Sequence, residues 1–330
     1  MPGGDGIEGR LPHDVRSRYV AAVRTGRGGW LGSCVVSAVC AGLVLAACSA
    51  GRPTATGDVA AAAERVGGNP FRIGRPLVIP HGGGDALFPE DTMYAYEHSV
   101  ALGGEVIDAD VQITADGVPI AFHDSTVQRT TNGTGNVNEM TYAELASLDA
   151  GWGFEQEGEH PFRGMGLRIP TIQSILDRFA DMPVTLDLKD LRTAAVEPLC
   201  TLLRTAHRTD DVYIGVDTTE QVQLFRELCP EVNTSATDSE RRAMRAAREA
   251  NDETFVTHQL VSQPEFVASD GTRRITADYL SFSHAHGIAV LTWTVDDADD
   301  MADLIELGVD GIYTRRPDVL VQVLKEMGRL

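Results

Sequence analysis

With 330 residues, 43% of them apolar, the chain holds enough material for one large domain or two ordinary ones, and disorder throughout is excluded. Its 28 basic and 48 acidic residues leave a net charge of -20, which repels phosphate backbones and anionic lipid at long range and rules out nucleic acid as a partner. Such acidity suits a protein that gathers divalent cations, although it more commonly serves only solubility.

The first fifty residues do not read as a fold. Arg16, Arg18, Arg24 and Arg27 precede an uncharged apolar run from Trp30 to Ala47, the order of a secretory signal. That run closes on Leu45-Ala46-Ala47-Cys48, which resembles a bacterial lipobox, so residues 1–47 are expected to be a lipoprotein signal and Cys48 the lipidated first residue. A retained membrane helix is the competing reading, for which the length is marginal. Small residues before Cys48 and a flexible stretch after it favour the anchor, and with it an extracytoplasmic or secreted protein that meets the membrane only there. Residues 48–70, rich in Ala, Gly and Thr, read as a tether.

From residue 71 onward short β-branched runs alternate with helical patterns, as in repeated βα units around a parallel sheet. Strands are expected near Leu77–Pro80, Val106–Ile113, Val118–Phe122, Val184–Leu188, Val212–Val216, Val232–Ser235, Thr254–Thr257, Ile288–Trp293 and Gly311–Tyr313, one more than a barrel needs. The tight turn Ala115-Asp116-Gly117 makes the second and third either a hairpin or a shortened βα unit. Helices are expected near 92–102, 171–179, 193–207, 219–228, 239–250, 298–307 and 317–327. The tally fits one (β/α)8 TIM barrel over residues 71–330. Residues 126–170 break the rhythm with Gly, Asn, Thr and aromatics and read as a small insertion after the third strand, either a substrate-recognition lobe or a packed decoration. Of the cysteines beyond the signal, Cys200 and Cys229, spacing alone does not decide between a bridge and two buried thiols.

Ionisable residues recur at the carboxyl ends of these strands, the face on which barrel enzymes carry their sites. His81 ends the first and His123 the third. Asp108 and Asp110 lie two apart on the second, so the strand period turns both to one side, and Asp187 with Lys189 repeats that spacing on the fourth. A strand-end His is commonly just solvated, and an Asp there often caps the next helix. Convergence of all of them on one rim is harder to dismiss. Three carboxylates without a third His or a Cys cluster favour a hard divalent cation, Mg2+ or Ca2+, over zinc, and phosphate esters suit a site where Lys189 adds positive charge and two histidines divide the proton work.

The ordered stretches His81-Gly82-Gly83-Gly84, Pro89-Glu90-Asp91-Thr92, Asp108-Ala109-Asp110, Phe122-His123-Asp124, Arg129-Thr130-Thr131-Asn132-Gly133, Leu186-Asp187-Leu188-Lys189, Thr292-Trp293-Thr294-Val295 and Gly311-Ile312-Tyr313-Thr314 resemble glycerophosphodiester phosphodiesterases over about residues 76–325. The resemblance implies that His81 and His123 are general base and general acid. It implies that Asp108, Asp110 and Asp187 hold the metal, that Lys189 contacts phosphate and that Trp293 lines the pocket for the alcohol. Glu90 is expected beside the site, or else as a cap on the following helix. A glycerophosphodiester or lysophospholipid is the implied substrate.

The sequence also departs from that family. Gly82 stands where an Arg is usual, Asp108 and Asp187 replace two Glu, and Gly215-Val216-Asp217 replaces the usual Ser-Phe. Arg129, Arg163 or Arg168 from the insertion is expected to supply the lost charge. The loss of that Arg leaves a second reading open, a surface-anchored phosphoryl-ligand binding protein with weakened catalysis. A phospholipase of the phosphatidylinositol type fits the closing motifs less well. Bland readings suffice for His284 and His286 near a helix end, for the helix-initiating cluster Asp296, Asp297, Asp299 and Asp300, and for His258 at a strand end.

Overall fold

The computed structural model describes residues 69–330 apart from 258 and 270. The expected signal, Cys48 and nearly all of the tether lie outside the described residues, as does His258. Nine strands are present: β1 (Leu77–Pro80), β2 (Ile107–Ile113), β3 (Pro119–Ala121), β4 (Val184–Leu188), β5 (Val212–Val216), β6 (Asn233–Thr234), β7 (Val261–Ser262), β8 (Ala289–Thr292) and β9 (Gly311–Thr314). All except β3 run parallel, in two ladders ordered β1-β9-β8-β7 and β2-β4-β5-β6. Each of those eight strands leads into a helix: α1 (Met93–Leu102), then, beyond the short α2 (Tyr142–Leu145), α3 (Ile172–Arg178), α4 (Val196–Thr205), α5 (Thr219–Leu228), α6 (Asp238–Glu249), α7 (Ala277–Ala285), α8 (Ala298–Leu307) and α9 (Pro317–Glu326). The fold is a (β/α)8 barrel.

Local chemistry explains where the helices begin. Thr92, Thr171, Thr218, Thr237 and Thr276 are extended and accept a backbone N–H three residues on, satisfying one of the donors a first turn leaves free. Val78, Ile79, Leu186, Leu188, Val290 and Leu291 are fully or almost fully buried, as expected of strands covered by helices outside and side chains inside. Cys200 on α4 and Cys229 just past α5 are buried and joined in a disulfide, with Cα atoms 6.0 Å apart.

The two seams between the ladders differ. At the β1/β2 seam Glu105 N–H donates to the Val78 carbonyl at 2.9 Å, and the Glu105 carboxylate accepts from Val78 N–H at 3.1 Å, so side chain and loop take over from a ladder. Among the described residues no strand pairing joins β6 to β7.

One expectation requires correction, and one alternative is decided. The run Thr254–Thr257 is not a strand: Asp252 Oδ1 accepts from both the N–H and hydroxyl of Thr254, a local turn that takes its backbone out of reach of a ladder, and the strand forms later at Val261–Ser262. Of the two alternatives for the Val118 segment the hairpin is the one formed, Val111 pairing antiparallel with Ala121 and Ile113 with Pro119, so the ninth strand is not part of the barrel. Beyond it, residues 126–170 fold back with a core of their own, in which Val127, Val137, Leu145 and Ile169 pack on Ile120 and Phe122.

Candidate active site

The site grows from the length of β2. Its first five residues pair with β4, placing Asp110 beside Asp187 and Asp108 beside Thr185, while the last three pair with β3. The hairpin then runs back along β2, where Phe122 N–H donates to the Asp110 carbonyl at 2.9 Å, and so returns His123 to the level of the carboxylates. Four successive barrel strands therefore do not line the rim as the sequence suggests. One overlong strand and its returning arm deliver the second histidine.

His81 follows β1 in a tight turn through Gly82, Gly83 and Gly84, all with positive φ. A Cβ at Gly83 would come within 2.8 Å of Ala95 on α1, so only glycine lets the turn lie on that helix. Gly82 N–H donates to Asp108 Oδ2 at 3.2 Å and the Thr185 hydroxyl to Asp108 Oδ1 at 2.7 Å, which fix that carboxylate. The Lys189 ammonium lies 2.5 Å from Asp187 and 3.3 Å from Asp110.

Charge in this enclosure is unbalanced. Burial lifts the Asp108 carboxyl above the ordinary range even though the His81 charge, the Thr185 hydroxyl and Gly82 N–H hold it down. Burial, opposed by Lys189 but helped by repulsion from Asp108 and Asp187, carries Asp110 up to about 6. For His81 burial disfavours the imidazolium, yet Asp85, Asp108 and Asp110 outweigh it and raise the ring to about 9. His81 Nδ1 stands 3.5 Å from Asp85 Oδ2, an ion-pair separation without hydrogen-bond geometry, so Nδ1 has no hydrogen-bond partner, and neither does Asp85 Oδ1. The charge of His123 also acts on Asp110, which therefore lies within electrostatic reach of both imidazoles.

His123 is held from behind. Its Nδ1 contacts Asp124 Oδ1 at 2.7 Å; Arg129 donates to both oxygens of Asp124, at 2.6 and 3.0 Å, and grips Glu90 with two further bonds. Glu90 thus belongs to the rim beside the site, and the cap of α1 is Thr92. Of the three arginines considered for the missing charge, Arg129 alone stands among these residues. Arg163 lies over the Trp152 ring and Arg168 binds the carbonyls of Ser147 and Leu148. Trp293, 44% exposed past the end of β8, donates from Nε1 to the Gln263 carbonyl at 2.9 Å.

Residues the sequence reading missed are Asp85, Asp91, Asp124 and Thr185. Two had a signal: Asp124 adjoins His123, and Asp85 lies one helical turn beyond His81. Asp91 is buried and accepts from Tyr96 O–H at 2.7 Å and from Asp110 N–H at 3.3 Å. The bland readings of the other features hold: Asp297 caps α8, Asp296 pairs with Arg315, His284 contacts Asp310, and His286 contacts the Phe282 carbonyl.

The donor set fits a hard cation by its chemistry. Three carboxylates from adjacent positions on β2 and β4 supply oxygen ligands of the kind such a cation takes. Among the described residues no three His, Cys, Asp or Glu side chains stand at the spacing of ligands around one ion, and Lys189 takes the place between Asp110 and Asp187.

The barrel mouth thus carries His81, His123 and Lys189 within electrostatic reach of Asp110. Residues 81–319 match the model of the glycerophosphoryl diester phosphodiesterase family, and the chain belongs to that family. It is 29% identical over 270 residues to a glycerophosphodiester phosphodiesterase of Bacillus subtilis, covering 78% of this chain and 89% of that protein. A putative glycerophosphoryl diester phosphodiesterase from Silicibacter pomeroyi shares the fold with a TM-score of 0.64 at 24% identity, over 78% of this chain and 97% of that one. An Oleispira antarctica phosphodiesterase, solved with the product sn-glycerol-3-phosphate, does so with a TM-score of 0.60 at 22% identity, over 76% and 97%.

Proposed function

We propose that this phosphoric diester hydrolase cleaves glycerophosphodiesters to glycerol 3-phosphate and an alcohol, with His81 and His123 dividing the proton transfers. The observation that carries this reading is Asp110, a carboxylate inside the mouth that feels both imidazoles and Lys189. A phosphodiester placed over it meets a proton-carrying ring from β1 and another from the hairpin, as attack at phosphorus and departure of the alcohol require. Lys189 binds nonbridging oxygen, and Asp124 fixes which nitrogen of His123 faces the substrate. Asp108, Asp110 and Asp187 would hold a divalent cation, which supplies Lewis-acid stabilisation of the phosphoryl oxygens. Asp85, with Asp108 and Asp110, favours the protonated His81 ring.

The same proposal places the protein outside the cytoplasm, tethered through Cys48. The Cys200–Cys229 disulfide supports that, since such bonds persist in oxidising compartments. The test is turnover of glycerophosphodiesters and lysophospholipids with and without chelator, in the wild type and in His81→Ala and His123→Ala. Cleavage lost in both variants supports hydrolysis by this pair. Ligand binding without turnover in the wild type leaves the binding-protein reading in its place.

A further inference from the structure

A groove of about 920 Å3 opens at the unpaired β6/β7 seam and reaches from Tyr213 and Trp293 outward to α6. Five arginines line it against a single acidic residue, Glu265. Arg241, Arg245 and Arg248 recur at i, i+4 and i+7 and so share one face of α6, while Arg273 and Arg274 approach from the segment before α7. In a chain of net charge -20 this is a marked local reversal of sign.

The groove borders the site: Gln263 on its wall donates to the Tyr313 hydroxyl, on which Asp108 acts, and Asp187 acts on Tyr213 at its floor. Tyr213 pairs in register with Thr185, whose hydroxyl holds Asp108, and lies two residues before Gly215, the partner of Asp187. Trp293 forms its other inner wall. A substrate with phosphorus over Asp110 that reached past Trp293 would place its far end in this groove.

The cations are available. Arg245 makes no ion pair or hydrogen bond among the described residues. Arg241, Arg248, Arg273 and Arg274 form ion pairs with carboxylates that are 68, 77, 49 and 43% exposed, in that order, and exposed pairs of this kind hold weakly; Arg241 also donates to the Ala236 carbonyl, and Arg248 and Arg273 lie over the Tyr279 and Phe266 rings. A phosphate that accepts from two guanidinium forks competes well against them. Conversely, the like charge of five arginines disfavours a choline or ethanolamine head.

We propose that this groove selects diesters whose alcohol is itself phosphorylated, a phosphorylated polyol being the class it fits. The proposal rests on the hydrolase reading above and adds the substrate's far end to it. The experiment compares kcat/KM for glycerophosphoglycerol, glycerophosphocholine and glycerophosphoinositol 4-phosphate in the wild type and in Arg245→Gln/Arg248→Gln. Calorimetric binding of inositol 1,4-bisphosphate runs in parallel.

The wild type is expected to favour the phosphorylated diester, and the double variant to lose about tenfold or more of that preference through KM, as loss of charge-assisted contacts implies. Added salt should erode the preference in the wild type. Glycerophosphoglycerol cleaved with no discrimination, or a ratio unmoved by the double substitution, overturns the groove while leaving the hydrolase intact. Inositol bisphosphate bound in an Arg245- and Arg248-dependent way with no diester cleaved sinks the hydrolase and leaves the groove as an anion site.

Discussion

Removing the Cys200–Cys229 bond offers a worked test of how the β4 to β5 part of the barrel is held. The bond joins positions 29 apart, and in the chain-entropy account closing such a loop withdraws about 3.5 kcal/mol of freedom from the unfolded chain. Both sulfurs are buried against Leu199, Leu203 and Phe225, so truncation to Ala adds roughly 1 kcal/mol of lost packing. For a domain of this size about 3.5 kcal/mol corresponds to a fall in Tm of roughly 6 °C. Urea unfolding, followed by tryptophan fluorescence, should show the wild type losing about 3.5 kcal/mol in dithiothreitol while Cys200→Ala/Cys229→Ala is indifferent to it. Coincident wild-type curves with and without reductant would refute the reasoning, because the α4 to α5 connection would then be held by packing alone.

Arg129→Ala releases both Asp124 and Glu90 and leaves the His123 ring free to turn; kcat should fall roughly 10- to 100-fold with KM little changed, and Arg129→Lys should restore only part, since an ammonium cannot bridge both carboxylates. Circular dichroism that reports unfolding in Arg129→Ala would move the explanation from positioning to stability. His81, raised to about 9 in the fold, adds stability that is present below its ordinary value near 6.5 and lost as pH climbs through 9; Asp110, raised to about 6, adds stability present below its ordinary value and lost as pH rises through 6. Thermal midpoints should therefore decline from pH 4 to 9, and His81→Gln should flatten the upper part of that curve; a wild-type decline above pH 6.5 that persists in the variant contradicts the assignment. Lys189→Met leaves Asp110 and Asp187 facing each other without their shared ammonium, at an expected cost of roughly 1 to 3 kcal/mol for a partly exposed pair. Millimolar Mg2+ or Ca2+ should recover part of that loss in calorimetry, and its failure to do so would count against a cation among these carboxylates.

What could be read from the residues was whatever repeats locally. Val184–Leu188 and Val212–Val216 announce themselves because both faces are covered, and six of the described helices start at a Thr whose capping role needs no tertiary knowledge. The pairing of Asp108 with Asp110 and of Asp187 with Lys189 followed from the strand period, which places each pair on the inner face. Thr254–Thr257 misled because β-branched composition says nothing of whether a neighbouring Asp diverts the backbone. Nothing local in the sequence singles out the α6 arginines; only the seam between β6 and β7 turns that face into a groove wall. Arg129 stood among three candidates of equal merit in the sequence, and its bonds to Glu90, 39 residues away, separate it from the others.

The two histidines sit on elements of unequal firmness. His81 is fixed by the barrel itself, since its turn lies against α1 with no room for a Cβ at Gly83 and is tied to Asp108 through Gly82 N–H. His123 rides on a hairpin that only three residues of β2 hold, and its side chain is 47% exposed. Its position depends on what lies behind it, namely the Asp124–Arg129–Glu90 chain and the lobe core on Ile120 and Phe122. Glu90 precedes α1, the helix on which the His81 turn rests, so the Arg129 bridge ties the movable histidine to the same element that fixes the immovable one. That common attachment lets an appended hairpin hold His123 in a fixed relation to His81, which the proton transfers proposed for the two would require.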